Sequence, residues 1–369
     1  IGNENILFYL YNFLNKGHVS RKMLQVLNGL KIGSGFRENV RERKEKVGMN
    51  RVCEILNIEK PVIQGPMAWI STAPLVAAVS NAGGLGVLGV GFAPEPFIRE
   101  QIAETRKLTD KPFGMNVIMI PPNLEHVTKI VLDEKPPVMY ADTIAGLDPE
   151  LCKKYFDIWH SVGCKIVVKA SFIDDARIAA EAGADVMIVK GWEGGGHVTF
   201  EATTVLVPQA VDLLDIPVVA SGGIADGRGV AAGIAMGAEG FEVGTAFMAA
   251  AETTVHPNVK KEVLAAGDMS TVITGYCTDE PCRQIKNKLA DEMIDIEDNN
   301  TKEKAAELLR PVAESSLRKA MAEGDMVGGA VMAGQIVPLV TEEKPALQII
   351  DDAIAGAKEI LSHMAEFEF

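Results

Sequence analysis

Of the six histidines in the 369-residue chain, only His197 ends a glycine-rich loop that follows a short apolar run, Gly191-Trp192-Glu193-Gly194-Gly195-Gly196-His197. An imidazole titrates near neutral pH, so a histidine placed this way suits proton donation or abstraction. A structural histidine satisfied by loop carbonyls is the other reading. His18, His126, His160, His256 and His363 fall in helical or linker contexts and read as surface or packing residues. The loop's four glycines cost backbone entropy and are expected to serve a close approach to something flat or bulky. Further along, Ser221-Gly222-Gly223-Ile224-Ala225-Asp226-Gly227 leads into a helix, and Gly244-Thr245 follows one unit later. Backbone N–H groups at a helix N-terminus form a phosphate cradle where no Cβ blocks the approach. Ordinary tight turns remain the plainer alternative.

Such residues need a scaffold that brings them to one place. From Pro61 to Phe247, short β-branched runs alternate with helix-period stretches. The runs are Pro61–Ala68, Leu85–Gly89, Phe113–Met119, Val138–Ala141, Lys165–Ser171, Val186–Gly191, Pro217–Gly222 and Phe241–Phe247. Runs without clean alternation are buried on both faces, as parallel strands under helices must be. Eight such units point to an α/β fold, a (β/α)8 TIM barrel, with a doubly wound open sheet as the alternative. A barrel of this kind keeps its active site at the C-terminal ends of its strands. That rule collects Gln64, Gly65 and Met67 after strand one, Asn116 in strand three and Asp142-Thr143 after strand four. It adds Lys169 and Ser171 at strand five, the 191–197 loop, Ser221–Gly223, and Gly244-Thr245.

One tempting motif fails. Gly84-Leu85-Gly86-Val87-Leu88-Gly89 matches GxGxxG, but a dinucleotide fingerprint needs a strand before it and a helix after it. Here a helix precedes, and the glycines belong to strand two. Five cysteines, odd in number and without a CxxC, predict free thiols, a reducing compartment and no zinc site. The formal charge of −14 argues against nucleic acid or anionic lipid as partners. No run reaches the roughly 18 apolar residues of a membrane span. The apolar stretch Ile6–Leu14 has its basic residues after it, the wrong side for a secretory signal, so a cytoplasmic protein is expected.

Residues 1–48 carry nine Lys/Arg and four Glu, a net of +5, leaving −19 on the rest. They are expected to form a basic helical arm or leader. Residues 49–250 would then be the barrel, 251–344 a helical lid or insertion without strands, and 345–369 a terminal helix packing back on the barrel.

Six motifs, taken in order, resemble one family. They are Gln64–Trp69, Asn81–Gly86, Lys111–Asn116, Glu193–His197, Ser221–Gly227 and Met332-Ala333-Gly334-Gln335. Together they resemble the FMN-dependent nitronate monooxygenase (2-nitropropane dioxygenase) and enoyl-ACP reductase II (FabK) family over roughly residues 50–365. Gly328–Gln335 and Arg283–Asn287 look closer to the enoyl reductases, and Lys169 closer to the nitronate enzymes. The resemblance implies FMN across the barrel mouth and His197 as acid/base. Gln64, Gly65, Met67 and Asn116 would lie at its ring, with Lys169 near the polar edge. Ser221, Gly222, Gly223, Gly244 and Thr245 would hold its phosphate. Glu193, Gly195 and Gly196 would line the site, and Gln335 would reach in from the lid. The family's usual Gly-Thr-Arg-Phe is Gly244-Thr245-Ala246-Phe247 here, and Trp192 stands where Met or Phe is common.

The activity implied is reduction of an enoyl thioester by NAD(P)H through FMN, on a small-molecule or acyl-carrier-protein-bound substrate, with a homodimer left open. The alternatives are oxidation of alkyl nitronates with O₂ and a non-catalytic flavin-binding protein. An enzyme of the IMP dehydrogenase type would need a nucleophilic cysteine in the site, and Cys164, before strand five, lies at the wrong end.

Overall fold

The computed structural model describes residues 50–144, 146–364 and 366. The expected arm over residues 1–48 lies outside them. Eight strands form one parallel sheet: β1 (Val62–Gln64), β2 (Gly86–Leu88), β3 (Phe113–Ile118), β4 (Val138–Asp142), β5 (Lys165–Ala170), β6 (Val186–Lys190), β8 (Val218–Ser221) and β9 (Gly240–Val243). Their order is β1-β9-β8-β6-β5-β4-β3-β2, and a parallel bridge between Ile63 and Leu85 joins the two ends. The barrel is therefore nearly closed. The helices between strands are α2 (Ala73–Asn81), α3 (Glu95–Leu108), α4 (Pro121–Glu134), α5 (Pro149–Ser161), α6 (Ile173–Ala182), α7 (Thr203–Leu213) and α8 (Gly227–Ala235). Several start where the sequence supplies a stop: Pro stands in the first turn of α2, α3, α4 and α5, where its missing N–H costs nothing.

Each strand has two buried faces. The outer face packs on the helices through residues such as Met115, Val117, Val168, Met187 and Phe241. The inner face forms a separate cluster of Ile63, Leu85, Val87, Val138, Tyr140, Val167, Val186, Ile188 and Val219. Helix α1 (Arg51–Leu56) adds Val52, Cys53 and Leu56 to that cluster and so plugs the N-terminal end. Its cap is Asn50, whose Oδ1 accepts from Cys53 N at 3.1 Å.

Two expectations need correction. Strand eight was expected to run to Phe247, but β9 ends at Val243, and Thr245–Met248 make a short helix, α9. Gly244 leaves extended geometry there (φ −115°, ψ −69°), so the chain turns at the barrel mouth. The segment after the barrel is not purely helical either. β10 (Thr271–Thr274) and β11 (Cys282–Ile285) pair antiparallel, and β11 also pairs with β7 (Gly196–His197). Around them lie α10 (Pro257–Ala265), α11 (Lys288–Asp298), α12 (Lys302–Ala313) and α13 (Ser316–Glu323). The last helix, α14 (Ala346–Met364), contributes Ile350, Ala353 and Ala357 to the outer core.

The GxGxxG glycines are explained by packing. A Cβ on Gly86 would lie 2.1 Å from the Val76 carbonyl oxygen of α2. Among the described residues, no helix is long and apolar enough to cross a membrane, and no His/Cys/Asp/Glu cluster could hold a metal. The five cysteines are free.

Candidate active site

The inner strand faces are apolar low in the barrel and polar at its C-terminal mouth. Because side chains alternate with period two, the next inward residue after Val138 and Tyr140 is Asp142. In the same way Lys169 follows Val167, Lys190 follows Ile188, Ser221 follows Val219 and Glu242 follows Gly240. The parallel register sets Asp142 beside Lys169, Lys190 beside Ser221, and Ser221 beside Glu242. A ring of charge results. Ser221 Oγ donates to Glu242 Oε2 at 2.5 Å, and the Tyr140 hydroxyl donates to the other oxygen of Glu242. Lys169 Nζ lies 2.5 Å from Asp142 Oδ1, an ion pair.

This ring floors a cavity of about 290 Å³ at the mouth. Gly65, Met67, Asn116, Lys169, Glu193, Gly195, Gly196, His197, Ser221, Gly222, Gly223, Gly244 and Thr245 all line it. Sequence reasoning therefore gathered residues that do converge. Gln64 and Gln335 do not line it, and direct ligand contact is withdrawn for both. Gln64 is fully buried, and its Nε2 donates to Ser71 Oγ at 2.7 Å, which in turn accepts from Met67 N at 2.9 Å. It braces the Gly65–Met67 turn from behind. Gln335 is exposed, and only its backbone N–H reaches inward, donating to the Glu193 carbonyl at 2.8 Å.

Gly222 and Gly223 adopt φ of +92° and +72°, conformations that L side chains rarely take. They border the cavity just before α8, whose N-cap is Asp226. Glu193 ties this turn to the loop: its carboxylate accepts from Thr203 N and Thr203 Oγ1, and that hydroxyl also lies 3.0 Å from the Gly222 carbonyl. Asn116 Oδ1 accepts from Val90 N and Gly91 N at 2.7 Å each, which holds the carboxamide at the cavity wall. The glycines at 191, 194 and 195 allow close approach by the chain's own atoms. A Cβ on Gly195 would sit 2.6 Å from the Ala333 carbonyl carbon of the lid segment.

Electrostatics separates the titratable groups. Burial pushes the His197 imidazole down to about 4, and the positive charges of Lys169 and Lys190 add to this against the opposing pull of Asp142. Burial likewise lowers Lys190 to about 8, with Lys169 assisting and Asp142 and Glu242 opposing. For Lys169, burial is outweighed by Asp142 and Glu242, and its value is raised. At neutral pH the histidine is therefore a free base beside two ammonium groups.

Among the cavity residues with ionisable side chains, sequence reasoning missed Tyr140, Lys190, Glu242 and Cys282. The first three carry a signal, a polar residue in inward phase at a buried strand. Cys282 carries none, because it reaches the site through pairing of β11 with β7, opposite His197. Cys164, by contrast, is buried just before β5, at the far end of the barrel. Burial raises the Cys282 thiol to about 11, so it is not an activated nucleophile.

A profile of the family described as nitronate monooxygenase matches residues 49–136 and 124–356. The chain belongs to the nitronate monooxygenase family. Within reach of that family are a FabK from Thermotoga maritima and two curated relatives. The FabK structure has 38% sequence identity and a TM-score of 0.80, covering 87% of this chain and all of the other. A probable nitronate monooxygenase of Staphylococcus aureus is 31% identical, over 85% of this chain and 99% of its own. A 5-hydroxy-7a-methyl-1-oxo-octahydro-1H-indene-4-carboxyl-CoA dehydrogenase of Rhodococcus jostii is also 31% identical, over 83% and 95%. These relatives are oxidoreductases, and this nitronate monooxygenase family member is an enzyme of the same kind. Ala246 lies in α9 and is buried in the outer core. Trp192 stands outside the main cavity, stacked on Phe200 with the Arg283 guanidinium 5.1 Å from its ring.

Proposed function

We propose that the chain is an FMN-dependent enoyl thioester reductase that uses NAD(P)H. The single observation that carries this is the mixed lining of the cavity. It combines a polar floor and a positive-φ glycine turn with the apolar lid residues Leu317, Met332 and Ile336. The turn at Gly222-Gly223 suits a phosphate, since a Cβ on either glycine would be strained, and Gly244-Thr245 lines the same cavity. Lys169, Asn116 and Met67 would stand at the ring. Bound there, FMN supplies hydride chemistry between a nicotinamide and the β-carbon of an enoyl thioester.

The chain's own residues do the rest. The apolar lid wall excludes water and accepts the acyl chain, whether free or carried by an acyl carrier protein. Lys169 favours the negative charge that develops on the thioester oxygen. His197, a free base beforehand, takes a proton from solvent as that charge develops and passes it to the α-carbon, which leaves the imidazole neutral again.

The low value of His197 favours a second reading, nitronate monooxygenase activity. A neutral imidazole is ready to accept the α-proton of a nitroalkane without first losing one. Anaerobic mixing separates the two. Rapid bleaching of the flavin by NADH or NADPH, followed by recolouring with an enoyl thioester, supports the reductase. Bleaching by a nitronate alone refutes it and supports the second reading.

A further inference from the structure

We infer that Lys190 is a positioning residue that clamps the 191–197 loop and so sets where His197 stands. This inference rests on His197 being the acid/base of the proposed reaction. Lys190 is the last residue of β6, and the loop begins at the next position. Its side chain does not leave the site; it turns under the loop that follows it. Nζ donates to the Gly195 carbonyl at 2.6 Å and to the His197 carbonyl at 2.7 Å. Only 8% of the residue is exposed, so these are charge-assisted bonds sheltered from water.

Other parts of the chain hold two more carbonyls of the loop. The Arg283 guanidinium donates to the Trp192 carbonyl at 3.2 Å, and Gln335 N to that of Glu193 at 2.8 Å. Lys190 alone among these reaches the histidine itself. The loop's composition fits this arrangement. A Cβ on Gly194 would lie 2.3 Å from Lys190 Cε, so the lysine stem occupies the space that any other residue there would need. A glycine at position 194 and a lysine at 190 thus belong to one device.

The groups facing the imidazole are Lys169 from β5, Lys190 from β6, Asp142 from β4 and Cys282 from β11. Removing Lys190 changes both the geometry and the charge seen by His197. Lys190→Met keeps the stem and removes the donor. With the holoenzyme, kcat for the proposed reaction should fall about 10²-fold, the cost typical of a displaced catalytic group, with little change in KM. Independently of turnover, the His197 ring signal followed by NMR should titrate at higher pH than in the wild type, because a neighbouring positive charge is gone. Gly194→Ala gives a second route should Lys190→Met fold poorly: it retains the charge but pushes the stem aside, and should lower kcat without removing the lysine. An unmoved His197 titration in Lys190→Met, or unchanged kcat in both variants, overturns the clamp. The two failures are distinguishable. If His197→Ala leaves turnover intact, the assignment of His197 has failed; the clamp is then read from the loop itself, where Lys190→Met should speed amide exchange across residues 194–197 and unchanged exchange overturns it.

Discussion

Gly195→Ala places one methyl group where the lid meets the loop. The added Cβ would lie 2.6 Å from the Ala333 carbonyl carbon, 2.7 Å from Gly334 N and 2.9 Å from Ala333 Cα. Ordinary carbon contacts need about 3.5–4.0 Å, so the segment must withdraw by roughly 1 Å. All three atoms are backbone, and none can swing away as a side-chain tip could. Overpacking of this kind costs roughly 1–3 kcal/mol. The withdrawal also stretches two hydrogen bonds that fasten the lid, Gln335 N to the Glu193 carbonyl at 2.8 Å and Gly334 N to Thr245 Oγ1 at 2.9 Å. Each contributes about 1 kcal/mol net. A combined loss near 2–4 kcal/mol favours the open lid by roughly 10- to 10³-fold. Hydrogen exchange by mass spectrometry reads this directly. Peptides spanning residues 330–336 should lose protection by about 10²-fold, while β4, β5 and β6 keep theirs. Flavin occupancy and turnover should fall with it. Unchanged protection over 330–336 would refute the reasoning, because it would mean that the lid has slack at Gly195.

The remaining expectations concern the cavity itself. Gly223→Val forces a β-branched residue to φ +72°, so the purified variant should melt as a folded barrel yet lose its flavin; normal flavin content would sink the cradle. His197→Ala should keep FMN and slow substrate turnover by about 10²–10⁴-fold, measured by stopped-flow on both half-reactions, and unchanged rates would remove it from the mechanism. His197 sits near 4 against an ordinary 6.5, so between those values the unfolded chain binds a proton that the native chain refuses. Its contribution is intact above pH 6.5 and is lost as pH falls towards 4, by at most about 3 kcal/mol; denaturant midpoints of wild type and His197→Asn should diverge in slope there, and parallel curves would contradict it.

The barrel was readable because its strands are short, apolar on both faces and regularly interrupted by helix-period segments. That pattern has few solutions, and each of the eight runs from Pro61 to Phe247 overlaps one observed strand of the barrel. His197, Asn116, Lys169 and the Gly222-Gly223 turn were readable for a related reason: they are polar or glycine residues at the ends of buried runs, where the fold puts its chemistry. Tyr140, Lys190 and Glu242 were not singled out, although they lie in the same runs. When both faces of a strand are apolar, the sequence conceals which residues point inward, and only the closed barrel assigns the phase. Gln64 shows the converse. It is polar and at a strand end, yet it turns to Ser71 and Val87 instead of the cavity.

The lid was beyond local reading altogether. Cys282 meets His197 across a strand pair formed by segments 85 residues apart, and β7 is only two residues long, too short to show a period. β7 would not form a strand alone; it is stabilised by β11, which β10 pairs on its other edge. The polar mouth, the glycine turn and the histidine were thus set by the order of residues along the chain. The charge ring, the lysine beneath the loop and the lid that closes on Gly195 exist only once distant segments pack, because the contacts that define them join residues with no sequence signal in common.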